Sequence, residues 1–553
     1  MNNADIENPS PEWLKADFRI FVDQAGYLPE DEKRAVFTFP ASFFSVVDER
    51  GNICLTGVPR PAGFDKDSGE TLCTADLSQL KTPGKYRVVS GRDISLPFRV
   101  GKDVYNKCFD DCMKAFYFQR CGCALDKKYA GIWAHEKCHC APSVLWENRD
   151  IKLDVTGGWH DAGDYGKYVT AAATALAHLL YAWKMFPEAF RRQSLDIPGK
   201  PSALPDVLVE CRYELDWLLK MQRYDGAVWH KVTTKKHAGF VMPEDDHGQM
   251  YVFPVSTSST ADFAAVTALA AGIYREFDQQ FSGRLMKSAC AAYDWLQRNP
   301  DFIGFSNPEG CDTGVYGERG DRDNRFWAAA ELFAAFDNEM YYAKILSLLN
   351  EKFSLTSFGF ASVGGFGSLA LLLHDRGNAA VLSKLRNAFM AKAEELAAIC
   401  DSNGWGISLT TEQYNWGSNM TVLTNGMTFL IADYLESRSI TGNPRFRKYA
   451  AEQLDYILGV NANGYSYITG TGSLCVNYPH HRPAFADKIE ECIPGLVSGG
   501  ANKNLEDSFA KALIPPETPP MKCFSDNMEC FSLNEVTIYW NSPAVFLLAG
   551  LLE

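Results

Sequence analysis

The sequence predicts a mainly α protein in which a small all-β sandwich precedes a large domain of paired helices. Residues 17–102 hold short β-rich runs, among them FRIFVDQAGYL, KRAVFTF, FSVVDERGNICLTG, TLCTADL, GKYRVVSG and ISLPFRV, separated by Gly, Pro, Asp and Asn clusters. After Val104 apolar residues recur at three- and four-residue spacing, as in VTAAATALAHLLYAWKMF and TADFAAVTALAAGIYREF. That spacing is the helical period. At 553 residues the chain exceeds one small core.

Taken in order, residues 1–16 read as an N-terminal extension. The β runs of 17–102, spaced by turn signals, suit an immunoglobulin-like sandwich. Residues 103–553 form the helical domain, with roughly ten to twelve helices of ordinary length. Many helix positions are Ala or Gly, which allows close packing. A ring of helix pairs, with long loops forming a cleft at one end, accommodates so many. The Pro- and Gly-rich stretch 483–520 reads as an ordered loop over that cleft, against the alternative of a mobile surface excursion.

Composition narrows the function. Hydrophobic residues make up 46% and charged residues 22%, as in soluble globular proteins. Net charge is −14 with no Lys/Arg run, which argues against nucleic acid. No apolar window is long enough to span a membrane. The opening MNNADIENPSPEWLKADF lacks a basic region followed by an apolar stretch. The expectation is a cytoplasmic protein, or an exported one whose leader is missing. Six of the 16 cysteines fall between Cys108 and Cys140. In a long chain such a cluster favours reduced thiols with a metal site over a disulfide scaffold, although an even count leaves bridges open.

Three segments carry chemistry. In GGWHDAGDYGKY, residues 157–168, Asp161 and Asp164 stand three apart with only Ala162 and Gly163 between them. Hydrolysis needs such a carboxylate to take a proton from water, while an Asp before a helix is more often a cap. In FSDNMECFSLNEVTIYWNSPAVF, residues 524–546, Glu535 precedes an apolar run. Apolar surroundings raise a carboxyl pKa, as a general acid requires. The bland alternative is a surface glutamate. The Gly-rich GYSYITGTGSLCVNYPHHRP brings His480, His481 and Arg482 onto a loop suited to sugar hydroxyls, or to surface histidines with no ligand.

Together these segments resemble glycoside hydrolase family 9, the inverting cellulases. Residues 157–168 carry the family's DAGD motif. Phe524, Asp526, Phe531, Glu535, Thr537, Asn541 and Ser542 match its C-terminal signature, and Ser466 to Arg482 match its His-containing signature except at Leu474. RFWAAAELF, YNWGSN and LGVNANGYSY are also similar to family segments. The resemblance implies an (α/α)6 barrel with an open cleft, and the β front resembles the immunoglobulin-like module of one branch. It implies Asp164 as general base, Asp161 as the residue that helps hold the water, and Glu535 as general acid. The two acting carboxyls are then expected roughly 6.5–9.5 Å apart. Asp526, His480 and Arg482 are implied as sugar-binding residues. Trp159, Trp416, Tyr414, Tyr539 and Trp327 are candidates for stacking on sugar rings, each with core packing as the alternative.

Two metals are expected. Cys121, Cys138 and His139 are thiolate and imidazole ligands in a zinc-like arrangement; in the family branch with the β module a matching cluster binds structural zinc, with His160 as a candidate fourth ligand. Cys123 and Cys140 are left to a four-cysteine alternative or to a disulfide with each other. Family members also bind calcium where this chain has Asp321, Asp323 and Asn324; Asn in place of a carboxylate weakens such a site, and a solvated charged loop is the alternative.

The expected activity is endo-β-1,4-glucanase action on cellulose and related β-glucans. The alternative within the fold is an exo-acting β-glucosidase, cellobiohydrolase or glucosaminidase on short oligosaccharides. A carbohydrate-binding protein without activity is the third reading, disfavoured because all three candidate carboxylates are present. Family resemblance favours secretion, whereas the opening residues fit the cytoplasm.

Overall fold

A computed structural model describes residues 18–199, 203–437 and 444–553. The expected extension over 1–16 lies outside them. Nine strands form the front: β1 (Ile20–Phe21), β2 (Arg34–Phe37), β3 (Phe44–Asp48), β4 (Ile53–Gly57), β5 (Arg60–Asp65), β6 (Glu70–Asp76), β7 (Gly84–Ser90), β8 (Asp93–Ile94) and β9 (Phe98–Val100). They make two sheets, ordered β1-β2-β6-β5 and β4-β3-β7-β8, with β9 also on β7. In β7, Tyr86 and Val88 are buried while Lys85 and Arg87 face solvent, the alternation of a sheet packed on one face. The β5 strand, RPAGFD, was not expected, because Pro and Gly disfavour strands. It occupies a sheet edge and carries an irregularity between Pro61 and Gly63, where both residues are tolerated.

The β1-β2-β6-β5 sheet is covered on both sides. Ala35, Phe37 and Ala75 enter the sandwich core, whereas Phe21, Val36 and Leu72 join the core of the helical domain. Phe21 meets the Trp405 ring edge-on at 5.3 Å. The Gln24 amide donates to Gly464 O and its carbonyl accepts from Leu474 N. Leu474, the one departure from the His-containing signature, is therefore buried beside the sandwich.

Among the described residues, twelve helices of ten or more residues form the large domain. Six are buried around most of their circumference: Val169–Met185, Thr257–Tyr274, Arg322–Phe336, Gly364–Leu373, Ser418–Ser437 and Ile538–Leu552. A helix apolar on all sides belongs inside a large core. The last of the six packs on both the first and the fifth, and the first four pack in succession. Outside them stand Asn106–Phe118, Asp206–Lys220, Gln279–Arg298, Glu339–Leu348, Ala379–Asp401 and Arg447–Ile457, each against one or two inner helices. This is the expected (α/α)6 barrel. Among the described residues no helix is long and apolar enough to cross a membrane.

A small sheet inside the helical region was not foreseen. It comprises β10 (Ser143–Leu145), β11 (Lys152–Leu153), β12 (Lys167–Tyr168), β13 (Lys231–Thr233) and β14 (Tyr251–Val252), ordered β11-β10-β14-β13-β12. Strands of two or three residues are too short to show a period. The sheet matters because β12 follows Asp164 and β13 begins the loop that lies over it.

Candidate active site and metal cluster

Asp161 and Asp164 precede the Val169–Met185 helix, and Glu535 precedes the Ile538–Leu552 helix. Backbone pairing zips these distant segments together. Ala162 bridges Thr537, Ile538 N donates to Asp161 O at 2.8 Å, and His480 bridges Glu535. Gly163 permits the approach: a Cβ there would stand 1.9 Å from His480 O. The expected loop of 483–520 is ordered against this assembly, with Ser498 bridging Val536 and its hydroxyl donating to Asn534 Oδ1 at 2.7 Å.

The three carboxyls differ in electrostatics. Burial opposes the charge of Asp164, but His237 at 3.1 Å and the Arg482 guanidinium hold its pKa well below the usual carboxylate range. Burial raises Glu535 well above its usual range, and the charges of Asp164 and Asp161 add to the effect. Asp161 is likewise raised by burial and by Asp164. Its Oδ2 accepts the Tyr316 hydroxyl at 2.5 Å, while its buried Oδ1 has no protein partner. The arrangement brings Asp164, biased toward its charged form, together with Glu535, biased toward its neutral form, and sets Asp161 beside the first. Such a pair performs general acid–base hydrolysis.

The substrate-contact expectations divide. Trp416 is 41% exposed, packs on Phe531 and places its indole near Glu535. Tyr539 joins Tyr316 and Phe360 in an aromatic wall beside the carboxyls. The His480 Nδ1 meets Met528 O at 2.6 Å, and burial lowers its pKa to about 4. A neutral ring that donates from Nδ1 keeps Nε2 as an acceptor.

Five others do not serve as expected. Trp159 is buried on Phe116 with its N–H donated to Glu210 Oε1 at 2.9 Å. Trp327 is buried against Phe366 and donates to Glu331 Oε1 at 3.0 Å. Tyr414 is also fully buried. All three are core aromatics, because their motif positions face inward once the helices pack. Asp526 accepts from Asn477 N, Tyr478 N and the Asn534 amide. Both its oxygens are used as a brace for the His480 loop. Arg482 spends Nε on Ala238 O and an Nη on Gly163 O, so it ties two loops together and contributes its charge at a distance.

Sequence reasoning missed Tyr316, His237 and Lys231. Tyr316 holds φ at +47°, a costly conformation for a non-glycine residue that marks a constrained site. The buried Lys231 Nζ donates to Asn307 Oδ1, Thr313 Oγ1 and Gly314 O, fixing the turn that presents Tyr316. The strongest available signal was the Lys231–Phe240 run beside a predicted helical region, which is too weak to single out a residue.

Cys121, Cys138, His139 and His160 form a cluster that could hold a metal ion, with their ligand atoms all within 4.8 Å of one another. His139 Nε2 pairs with Asp246 Oδ2 at 3.2 Å while its buried Nδ1 has no protein partner. A carboxylate behind one ring nitrogen and a free second nitrogen is how a metal-bound histidine is held. Cys123 and Cys140 are free thiols outside the cluster, so neither the four-cysteine arrangement nor the Cys123–Cys140 disulfide forms. The cluster lies behind the base loop: Cys121 N donates to Gly158 O and His160 N to Gln119 O, both at 2.7 Å.

Asp321, Asp323 and Asn324 lie near two further buried acids, Glu318 and Asp262. Asp321 is paired with Arg325 Nε at 2.8 Å, Asp323 accepts Val363 N at 2.9 Å, and the Asn324 amide donates to Asp262 Oδ1 at 2.9 Å. Asn324 Oδ1, Glu318 Oε1 and Asp262 Oδ2 are buried without a protein partner beside the Asp321–Arg325 pair, so oxygens suited to a cation stand at the expected place.

Fold and site together define a glycoside hydrolase acting through paired carboxyls at the mouth of a helical barrel. The Glycosyl hydrolase family 9 model matches residues 105–548, and the Cellulase N-terminal ig-like domain model matches 15–94. The chain belongs to glycosyl hydrolase family 9. It is 44% identical to a cellodextrinase of Butyrivibrio fibrisolvens, covering 97% of this chain and 100% of that protein. It is 33% identical to endoglucanase D of Acetivibrio thermocellus, covering 97% and 83%. Among solved structures it is similar to a single-mutant thermostable endoglucanase from Alicyclobacillus acidocaldarius, with TM-score 0.91, 33% identity and coverage of 97% and 99%. A Zn-binding triple mutant of the family 9 endoglucanase J30 gives TM-score 0.89, 36% identity and coverage of 95% and 99%.

Proposed function

We propose that the chain hydrolyses β-1,4-glucan with inversion of configuration. Asp164 takes a proton from the attacking water, Asp161 Oδ1 holds that water, and Glu535 protonates the leaving oxygen. The observation that carries this reading is the opposite electrostatic bias on Asp164 and Glu535 at segments zipped by backbone hydrogen bonds. Trp416 and Tyr539 offer rings to the sugar, and His480 Nε2 offers an acceptor to a hydroxyl. Action inside long chains is the first reading. Action on short cello-oligosaccharides is the second, favoured by the full-length similarity to a cellodextrinase. Products from carboxymethyl cellulose and cellopentaose, with viscosity followed in the same samples, separate the two. A fast viscosity drop with mixed oligosaccharides is expected; release of only glucose or cellobiose at constant viscosity overturns the endo reading.

The Cys121, Cys138, His139 and His160 cluster is assigned to structural zinc, held through two thiolates, His139 Nδ1 and His160. Bound there, zinc cross-links the 121–139 segment to the base loop and takes no part in proton transfer. Elemental analysis of the purified chain is expected to find one zinc per chain, and finding none would sink the assignment.

A further inference from the structure

His237 lies on the loop between β13 and β14, outside every motif that pointed to the active site. That loop is clamped at three points. Arg482 Nε holds Ala238 O at 2.8 Å, the Tyr165 hydroxyl holds Val241 O at 2.5 Å, and Asp246 pairs with His139. Phe240 packs its ring on His480 and Phe485. The clamps present His237 to the cleft, where its side chain is 37% exposed and its Nδ1 stands 3.1 Å from Asp164 Oδ2.

The contact is selective within the carboxylate. Gly166 N at 3.0 Å, the Tyr168 hydroxyl at 3.4 Å and His237 Nδ1 all reach Oδ2. Three donors on one oxygen fix the rotation of the carboxylate and leave Oδ1 for an incoming proton. The ion pair also answers an electrostatic difficulty. Asp161, Tyr168 and Glu535 surround Asp164 with acidic groups, Lys231 and Arg482 make their hydrogen bonds to other partners, and burial biases the His480 ring toward its neutral form. His237 is the basic side chain that touches Asp164.

We infer that His237 is a positioning residue for the general base, holding Asp164 ionised and turned so that Oδ1 faces the substrate cleft. This rests on the assignment of Asp164 as base. Without His237, burial and the neighbouring carboxyls act on Asp164 with only Arg482 opposing them. An opposite charge at this distance moves a carboxyl by about one to three pKa units. Loss of the contact therefore moves the acid limb of the pH profile upward by about that much.

The test uses the full chain with His237→Phe, His237→Gln and His237→Lys, and 2,4-dinitrophenyl β-cellobioside as substrate. Its leaving group departs without a proton, so Glu535 drops out and kcat/KM reports the base. The parent is expected to stay level as pH falls from 7 to 5. Followed downward from that interval to the acid limit of folding, the Phe variant is expected to show its acid limb about one to three pH units above the parent's, each unit being one decade of rate below the limb. The Lys variant, which keeps a cation, is expected to return toward the parent, and the Gln variant to fall between. Melting temperatures matching the parent show that each variant is folded. Superimposable profiles for parent and Phe variant, or a change in KM alone, would overturn the role of His237. Full activity in Asp164→Asn would instead remove the base assignment beneath it.

Discussion

Burial and two neighbouring carboxyls bias Glu535 toward its neutral form, whereas His237 and Arg482 bias Asp164 toward its charged form. The catalytic division therefore lies in surroundings and not in residue type. Glu535→Gln is expected to keep the fold and lose about 10²- to 10⁴-fold in kcat on cellopentaose, the usual contribution of a general acid. The same variant is expected to recover most of its rate on dinitrophenyl cellobioside, which needs no protonation. Near-parent turnover of cellopentaose would refute the assignment. At this scale the sequence was partly legible. The three carboxyls stood out because their motifs are compact. Trp159, Trp327 and Tyr414 were misplaced as stacking candidates because a ring that binds sugar and a ring that fills a core have the same composition. Only burial separates them, and burial depends on how helices far apart in sequence pack. Tyr316 and His237 act through contacts to residues 155 and 73 positions away, and no local pattern announces such contacts.

Among the elements, the base loop is the one most dependent on its supports. Gly163 lies against His480, Arg482 joins Gly163 O to Ala238 O, and Gln119 reaches Ala162 O at 3.0 Å. Behind it His160 stands with Cys121, Cys138 and His139 in the group proposed to hold zinc. Removing the metal with a chelator is expected to lower the melting temperature and to reduce kcat more than it raises KM. A base displaced by about 1 Å costs on the order of 10²-fold. Unchanged kcat in a metal-free chain would show that the cluster does not brace the loop. The long helices were legible because ten or more residues display the 3.6-residue period. The five short strands beside the site were not, since two residues carry no period. The Cys and His ligands were legible in type, whereas the choice of His139 and His160 over Cys123 and Cys140 depended on backbone direction.

For the whole molecule, the sandwich and barrel meet around two buried acids, Asp23 and Asp455. Asp23 accepts Ala25 N, Gly26 N and the Tyr105 hydroxyl. Burial pushes Asp455 up to about 7, and burial with the charge of Asp455 raises Asp23. A carboxyl whose pKa is raised in the folded state keeps a proton that the unfolded chain releases above its ordinary pKa, about 4. Its contribution to stability is therefore fully present below that pH and falls as pH rises toward 7. The melting temperature is expected to decrease over this interval, and Asp455→Asn to flatten the decrease. Equal slopes in parent and variant would show that the pair does not set it. The sequence by itself determined the order of modules, the helical character of the large domain, the three catalytic candidates and the ligand types of the metal cluster. Each of these is written in local composition, period or spacing. The tertiary structure alone decided which carboxyl is ionised, which aromatic rings face the cleft, that His237 meets the base and that Asp321 pairs with Arg325. Those outcomes depend on burial and on distances between remote segments, and both come into being only when the helices close into a ring.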